Sequence, residues 1–315
     1  MKILRNVEKV PALRYIFKLF KMPVNIQSIY EKVDNLARLH EKVDNLHFLL
    51  TELISVYNRS NVIYVDDNML IKRIRDYFFC IPLEDYKLLL HLLYGNPEPG
   101  LDMFIIKNLK NGAFFVDIGA HIGIVTLRAA SIVGLKGKVY AFEPTPRVNK
   151  ILQHNIYINN YTDIVEVFPL AISNKKGKTK LYQYNIYGHN TLFSYSNGDD
   201  YVEVEVDTLD NVLCDVNKID MIKIDAEGAE PFVLQGMREI IKKNPEMTII
   251  MEFGPGHFLR NGIDPLNFLN SLINDGFNIR LIKEPSGEVV ETSVNYLLNA
   301  FSENIIIFKG ERVYA

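Results

Sequence analysis

Cysteine is scarce: Cys80 and Cys214 are the two thiols in 315 residues. Two cysteines without metal-ligand spacing build neither a disulfide framework nor a zinc site, which predicts a reducing, cytoplasmic compartment. Long apolar runs are missing as well. No stretch reaches the roughly 18 residues that span a bilayer, and Arg14 and Lys18 interrupt the apolar stretch near the start that a secretory signal would need. Neither sign of charge dominates. The 35 basic and 38 acidic side chains leave a net charge of −3, so the footprint of a nucleic-acid binder is lacking. What remains, 48% hydrophobic and 23% charged, is ordinary globular material. The length allows a core of roughly 150–250 residues plus appended segments.

Composition changes along the chain predict three pieces, 1–60, 61–110 and 111–315. Residues 1–22 carry six basic side chains and one acid. Leu13, Ile16, Phe17 and Phe20 share one helical face beside a stripe of Arg14, Lys18 and Lys21. The pattern suits a helix lying on an anionic membrane surface, peripheral to the cytoplasmic membrane; the alternative is a helix packed on the main domain. Leu36, Leu39, Val43, Leu46, Leu50, Leu53 and Tyr57 then follow steps of 3 and 4. That seam predicts a coiled coil over 29–57 and self-association into a homo-oligomer, with one helix folded back on its own domain as the alternative. Residues 61–110 hold two β-rich phrases, "NVIYVD" and "DYFFCIPL", a helical "EDYKLLLHLLY" and a turn-rich break, "GNPEPG".

After residue 111, strands and helices alternate. "AFFVDIG", "KVYAFEP", "VEVFPLAI", "DMIKID" and "MTIIMEF" are apolar runs of strand length, most of them separated by helix-compatible stretches. This predicts an α/β fold with a doubly wound, mostly parallel sheet covered on both faces. "FNIRLI" and "NIIIFK" lack a full helix between them, which predicts an antiparallel final pair.

Ligands of such sheets sit beyond the carboxyl ends of the strands, where the strand order reverses. "FFVDIGAHIG" ends a strand there on Asp117, with a helix expected from about Ile122. Gly119 should let the turn approach a ligand, and Gly123 should let helix and strand pack closely. The spacing is D-x-G-x-x-x-G rather than the G-x-G-x-x-G of a dinucleotide site. A carboxylate would repel a pyrophosphate and attract a cation. Asp117 therefore points to a positively charged nucleoside rather than NAD. Glu143 ends the next strand, where an acid accepts the hydroxyls of an adenosine ribose.

With these residues the chain resembles class I S-adenosylmethionine-dependent methyltransferases (Rossmann-like), and more narrowly the FkbM family. The narrower resemblance rests on "FVDIGAHIG", "VYAFEPTP", "FPLAISNKKGKTKLY", "VEVDTLD…IDMIKIDAEGAEPFVLQG" and "MTIIMEF", over roughly residues 95–255. It implies O-methylation of a hydroxyl on a sugar, glycan or glycosylated intermediate, with S-adenosylmethionine as donor. By the same resemblance Asp117, Gly119, Ala120, His121 and Gly123 line the methionine end, Glu143 with Pro144 holds the ribose, and Leu170, Ala171 and Ile172 flank the adenine. His121 stands where related sequences commonly have Asn.

A hydroxyl nucleophile needs a proton acceptor. Asp225 and Glu227 in "IKIDAEGAE" share a side while that segment is extended, so each should raise the other's pKa, with Lys223 close enough to offset the effect. His189 in "YGHNTLF" is a further candidate base. Glu227 capping the next helix is the alternative for that residue. Glu252 also reaches this edge of the sheet, where it can bind sugar hydroxyls. The acids could instead gather a divalent metal ion, although no compact motif demands one. Two other functions compete: a non-catalytic scaffold that kept the fold, and a methyltransferase acting on a polyketide or other natural-product hydroxyl. Glycine spacing disfavours a nicotinamide-dependent oxidoreductase.

Overall fold

The computed structural model describes residues 62–64, 69–74, 76–82, 98–182 and 201–314. The expected coiled coil at 29–57, the basic segment 1–22, the helical phrase "EDYKLLLHLLY" and His189 lie outside the described residues.

A three-stranded antiparallel sheet, β1 (Val62–Tyr64), β2 (Met69–Ile74) and β3 (Tyr77–Pro82), precedes helix α1 (Pro99–Asn108). Then β4 (Phe114–Ile118), α2 (Ile124–Val133), β5 (Lys138–Phe142), α3 (Pro146–Ile158) and β6 (Val165–Phe168) alternate. A second small sheet follows, made of β7 (Ala171–Ile172), β8 (Gly177–Tyr182) and β9 (Tyr201–Asp207). The chain returns through β10 (Met221–Ile224), α4 (Glu230–Gln235), β11 (Thr248–Phe253) and α5 (Pro255–Arg260). It finishes with α6 (Pro265–Asn274), β12 (Asn278–Ile282), β13 (Val289–Glu291) and β14 (Glu303–Phe308).

The main sheet has eight strands in the order β13-β12-β14-β11-β10-β4-β5-β6. β11, β10, β4, β5 and β6 run parallel, and β14 lies antiparallel to both β11 and β12. This is a doubly wound, largely parallel sheet, with the expected antiparallel pair towards its end. Alternate side chains of each strand feed opposite cores, as period-2 geometry requires: Phe115 and Val139 join Phe104 and Leu127 on one face, while Val116 and Ile222 join Phe253 and Phe258 on the other. The order reverses between β4 and β10, because the chain moves from β4 out to β6 and comes back to β4's other side. A crevice opens at such a point.

Three boundaries differ from expectation. "VEVFPLAI" is two strands in two sheets, broken at Pro169, which has no N–H to continue a ladder. Helix α1 starts inside the turn-rich "GNPEPG", with Pro99 as its first residue. Its first-turn amides are capped from far along the chain, the Glu284 carboxylate accepting from Gly100 N (2.7 Å) and Leu101 N (3.1 Å). Helix α2 begins at Ile124 rather than Ile122, because His121 (φ 50°) and Gly123 (φ 98°) hold left-handed backbone through the turn. No described helix is long and apolar enough to cross a membrane.

Candidate active site

A cavity of about 370 Å³ occupies the crevice between the tips of β4 and β10. One wall is the turn after β4. Gly119 and Ala120 donate their amides to Phe142 O (3.0 and 2.9 Å), which folds the turn over the end of β5. Gly119 (φ 82°) has a different reason from the one expected. A Cβ there would strike the main-chain oxygen of Asp225, so the glycine lets the two strand tips touch rather than making room for a ligand. A Cβ on Gly123 would lie 2.7 Å from Leu152 Cδ1, so that residue packs the turn against α3. It is not among the residues lining the cavity, whereas Asp117, Gly119, Ala120 and His121 are.

Asp117 is fully buried, one carboxylate oxygen accepting from Thr126 Oγ1 at 2.6 Å and Oδ1 having no partner. Burial pushes its carboxyl up. Glu143 accepts from His121 N (3.0 Å) and Thr145 N (2.8 Å), joining the tips of β4 and β5, and burial raises it as well. Pro144 lies beside it in the wall, and Leu170, Ala171 and Ile172 line the cavity with Phe142 and Leu181. The cavity thus combines the acids Asp117 and Glu143 with an apolar patch.

The strand register sets Lys223 of β10 level with Asp117 of β4. Lys223 is buried, with its ammonium 2.5 Å from Asp225 Oδ2. Burial opposes the Lys223 charge, but the Asp225, Glu98 and Asp117 carboxylates outweigh it and keep the amine protonated. Burial likewise opposes ionisation of Asp225; the Lys223 ammonium prevails and holds that carboxyl below its usual range. β11 runs alongside, and Glu252 near its end shares a hydrogen bond with Asp225 and accepts from Ser302 Oγ at 2.7 Å. The Asp225 carboxylate, and then burial, push Glu252 well above the usual carboxylate range.

The acid coupled to Asp225 is therefore Glu252. Strand β10 ends at Ile224, and Glu227 sits on left-handed backbone (φ 51°), which turns its carboxylate to His257 Nδ1 at 3.3 Å. Glu227 does not cap α4. Glu230 supports the turn instead, its Oε1 accepting from Ala226 N (2.8 Å) and Gly228 N (3.2 Å); burial raises its carboxyl to about 7. Asp225, Glu227 and Glu252 bring carboxylate oxygens within 4.8 Å of one another, a spacing that can hold a divalent cation. That grouping had no compact sequence motif because Glu252 comes from the next strand.

Glu98 and His257 had no local signal, since each meets its partner through tertiary packing, whereas Glu230 lies within the "IKIDAEGAE" phrase and acts on its own turn. The fit for a cationic nucleoside is good. Asp117, with its unpartnered Oδ1, lines a cavity whose acids outnumber Lys223, and the apolar part of the lining suits a flat apolar base.

The model of the Methyltransferase FkbM domain matches residues 117–279, just over half of the chain. The chain is similar to Methyltransferase sdnD of Sordaria araneosa, with 29% identity over 166 residues. That match takes in 42% of this chain and 64% of the relative, so the chain spans less than two thirds of the relative's length. Among solved structures, an rRNA methylase from Streptococcus thermophilus is 13% identical with a TM-score of 0.39, covering 67% of this chain and 95% of that one. TYW2 of P. horikoshii in complex with MeSAdo is 15% identical with a TM-score of 0.39, covering 78% and 74%.

Proposed function

Because this chain belongs to the FkbM methyltransferase family, we propose that it moves a methyl group from S-adenosylmethionine to a hydroxyl of a sugar, glycan or glycosylated intermediate. The observation that carries this reading is the pairing, in one cavity, of an orphaned buried Asp117 oxygen with the coupled Asp225–Glu252 carboxyls. When bound, the donor supplies a methyl group on a sulfonium, ready for in-line displacement.

Asp117 offers its free oxygen to the donor's ammonium, Glu143 accepts the ribose hydroxyls, and Leu170, Ala171 and Ile172 enclose the base. These contacts fix the donor at one end of the crevice, and positioning of this kind supplies several kcal/mol towards the barrier. Glu252 takes the acceptor's proton. With the donor bound, its sulfonium would supply the methyl carbon and keep the electrons of the carbon–sulfur bond, while the Glu252 carboxylate would accept the hydroxyl proton. General-base assistance contributes roughly 10²–10⁴-fold. Lys223 keeps Asp225 ionised, so Asp225 accepts hydrogen bonds and sets the basicity of Glu252.

The leucine seam over 29–57 supports self-association, and the basic face of residues 1–22 supports contact with an anionic membrane at the cytoplasmic side, where lipid-linked sugars are reached. Calorimetry with S-adenosylhomocysteine, followed by transfer of labelled methyl from the donor to fractionated cell glycans, tests the reading. Binding with label in a glycan fraction is expected; a chain that binds no nucleoside is a scaffold, and label in a non-glycan product moves the acceptor to another hydroxyl class.

A further inference from the structure

We propose that Glu98, which precedes the segment matched by the family model, is a cofactor-binding residue that grips the donor's ammonium together with Asp117. The inference rests on the methyl-donor reading above and adds a contact from outside residues 117–279.

Glu98 occupies the N-cap position of α1, yet its side chain makes no capping hydrogen bond. The remote Glu284 carboxylate caps α1 in its place. Glu98 turns away from the helix: one carboxylate oxygen accepts from Asn304 Nδ2 at 2.6 Å, and the residue lines the same cavity as Asp117, Lys223 and Asp225. Its backbone is well fixed, because α1 is held by Glu284 at its start and by the Asp102–Arg128 ion pair, 2.6 Å, one turn in.

Charge balance says what this position is for. Lys223 is the buried cation of the cluster, and its ammonium is hydrogen-bonded to Asp225. Three carboxylates, Asp225, Glu98 and Asp117, thus share this one ammonium, and the fully buried Asp117 Oδ1 has no partner. An alkylammonium with three donors matches two convergent carboxylates, whereas an anion or a neutral ligand leaves their charge uncompensated. Burial raises both carboxyls, so a cation arriving between them favours their ionised forms.

The test uses full-length protein and two nucleosides that differ in the amino-acid group. S-Adenosylhomocysteine carries the ammonium; 5′-methylthioadenosine lacks it. Glu98→Gln keeps the shape and an acceptor for Asn304 while removing the charge. It should weaken S-adenosylhomocysteine binding by about tenfold to a hundredfold, the usual weight of a charge-assisted contact, and leave methylthioadenosine affinity unchanged. Glu98→Asp, which keeps the charge on a shorter arm, should fall between wild type and Glu98→Gln, and it serves as the assay if the glutamine variant does not fold. Equal loss for both nucleosides, or loss for neither, overturns the assignment. Failure of the wild-type chain to bind S-adenosylhomocysteine would instead bring down the methyl-donor reading itself.

Discussion

Lys223, Asp225 and Glu252 form a chain of control in which each group sets the charge of the next. The Asp225 charge is the first cause of the raised Glu252 carboxyl, and a general base works best when its pKa lies near the operating pH. Methylation should therefore rise with pH as Glu252 loses its proton. Asp225→Asn removes the charge that raises Glu252, so the rising limb should move to lower pH even as the maximum rate drops; a kcat/KM profile reads both effects. An unmoved limb would take the base role away from Glu252. Glu230 makes a separate prediction. Its folded-state pKa of about 7 lies above the ordinary value of 4.5, so the folded chain keeps a proton that the unfolded chain gives up. The associated stability is fully present below about pH 4.5 and is lost as pH rises through about 7, by up to about 3 kcal/mol. Glu230→Gln should flatten denaturant-midpoint curves across that window, because the amide oxygen still accepts from Ala226 and Gly228 while the titration is gone.

The turns between elements carry the tightest geometric demands. An added Cβ at Gly119 meets main chain, and one at Gly123 meets the tip of a flexible leucine. Both residues hold positive φ, so Gly→Ala strains either one by about 1–2 kcal/mol. The rigid neighbour should bring the cost of Gly119→Ala to about 2–4 kcal/mol and abolish nucleoside binding, since β4 and β10 must separate. Gly123→Ala should stay near the strain cost, as Leu152 can change rotamer; thermal melts with and without S-adenosylhomocysteine compare the two. Seven of the eight strands of the main sheet were legible in the sequence because their apolar runs are local and strand-length; the three-residue edge strand β13 was too short to show. Asp117 and Glu143 were legible for a related reason, as acids ending such runs are conspicuous. The split at Pro169 and the start of α1 were not, since one depends on a change of sheet and the other on a cap 184 residues away.

At the scale of the whole molecule, the site draws on segments far apart in the chain: Glu98 before β4, Asp117 and Glu143 in the first half of the sheet, and Glu252 with its neighbours Ser302 and Asn304 from the last strands. Periodicity sees none of these long-range meetings, which is why the coupled pair was expected at Asp225 and Glu227, two residues apart, rather than across β10 and β11. The segment before residue 61 is expected to act separately from this site. Deleting residues 1–60 should leave S-adenosylhomocysteine affinity unchanged while reducing oligomer size in light scattering and retention on anionic vesicles. An unchanged oligomer would rule out the leucine seam as the association device.

β14 follows β11, β12 and β13 along the chain yet sits inside the sheet, between β11 and β12. Until residue 308 has emerged from the ribosome, a nascent chain holds β11 with an open edge, the kind of surface that recruits stray strands. Glu252 meanwhile lacks its Ser302 hydroxyl donor. Translation order thus delays chemical competence until β14 has been made, and a stop codon upstream of β14 would yield a sticky, inactive polypeptide.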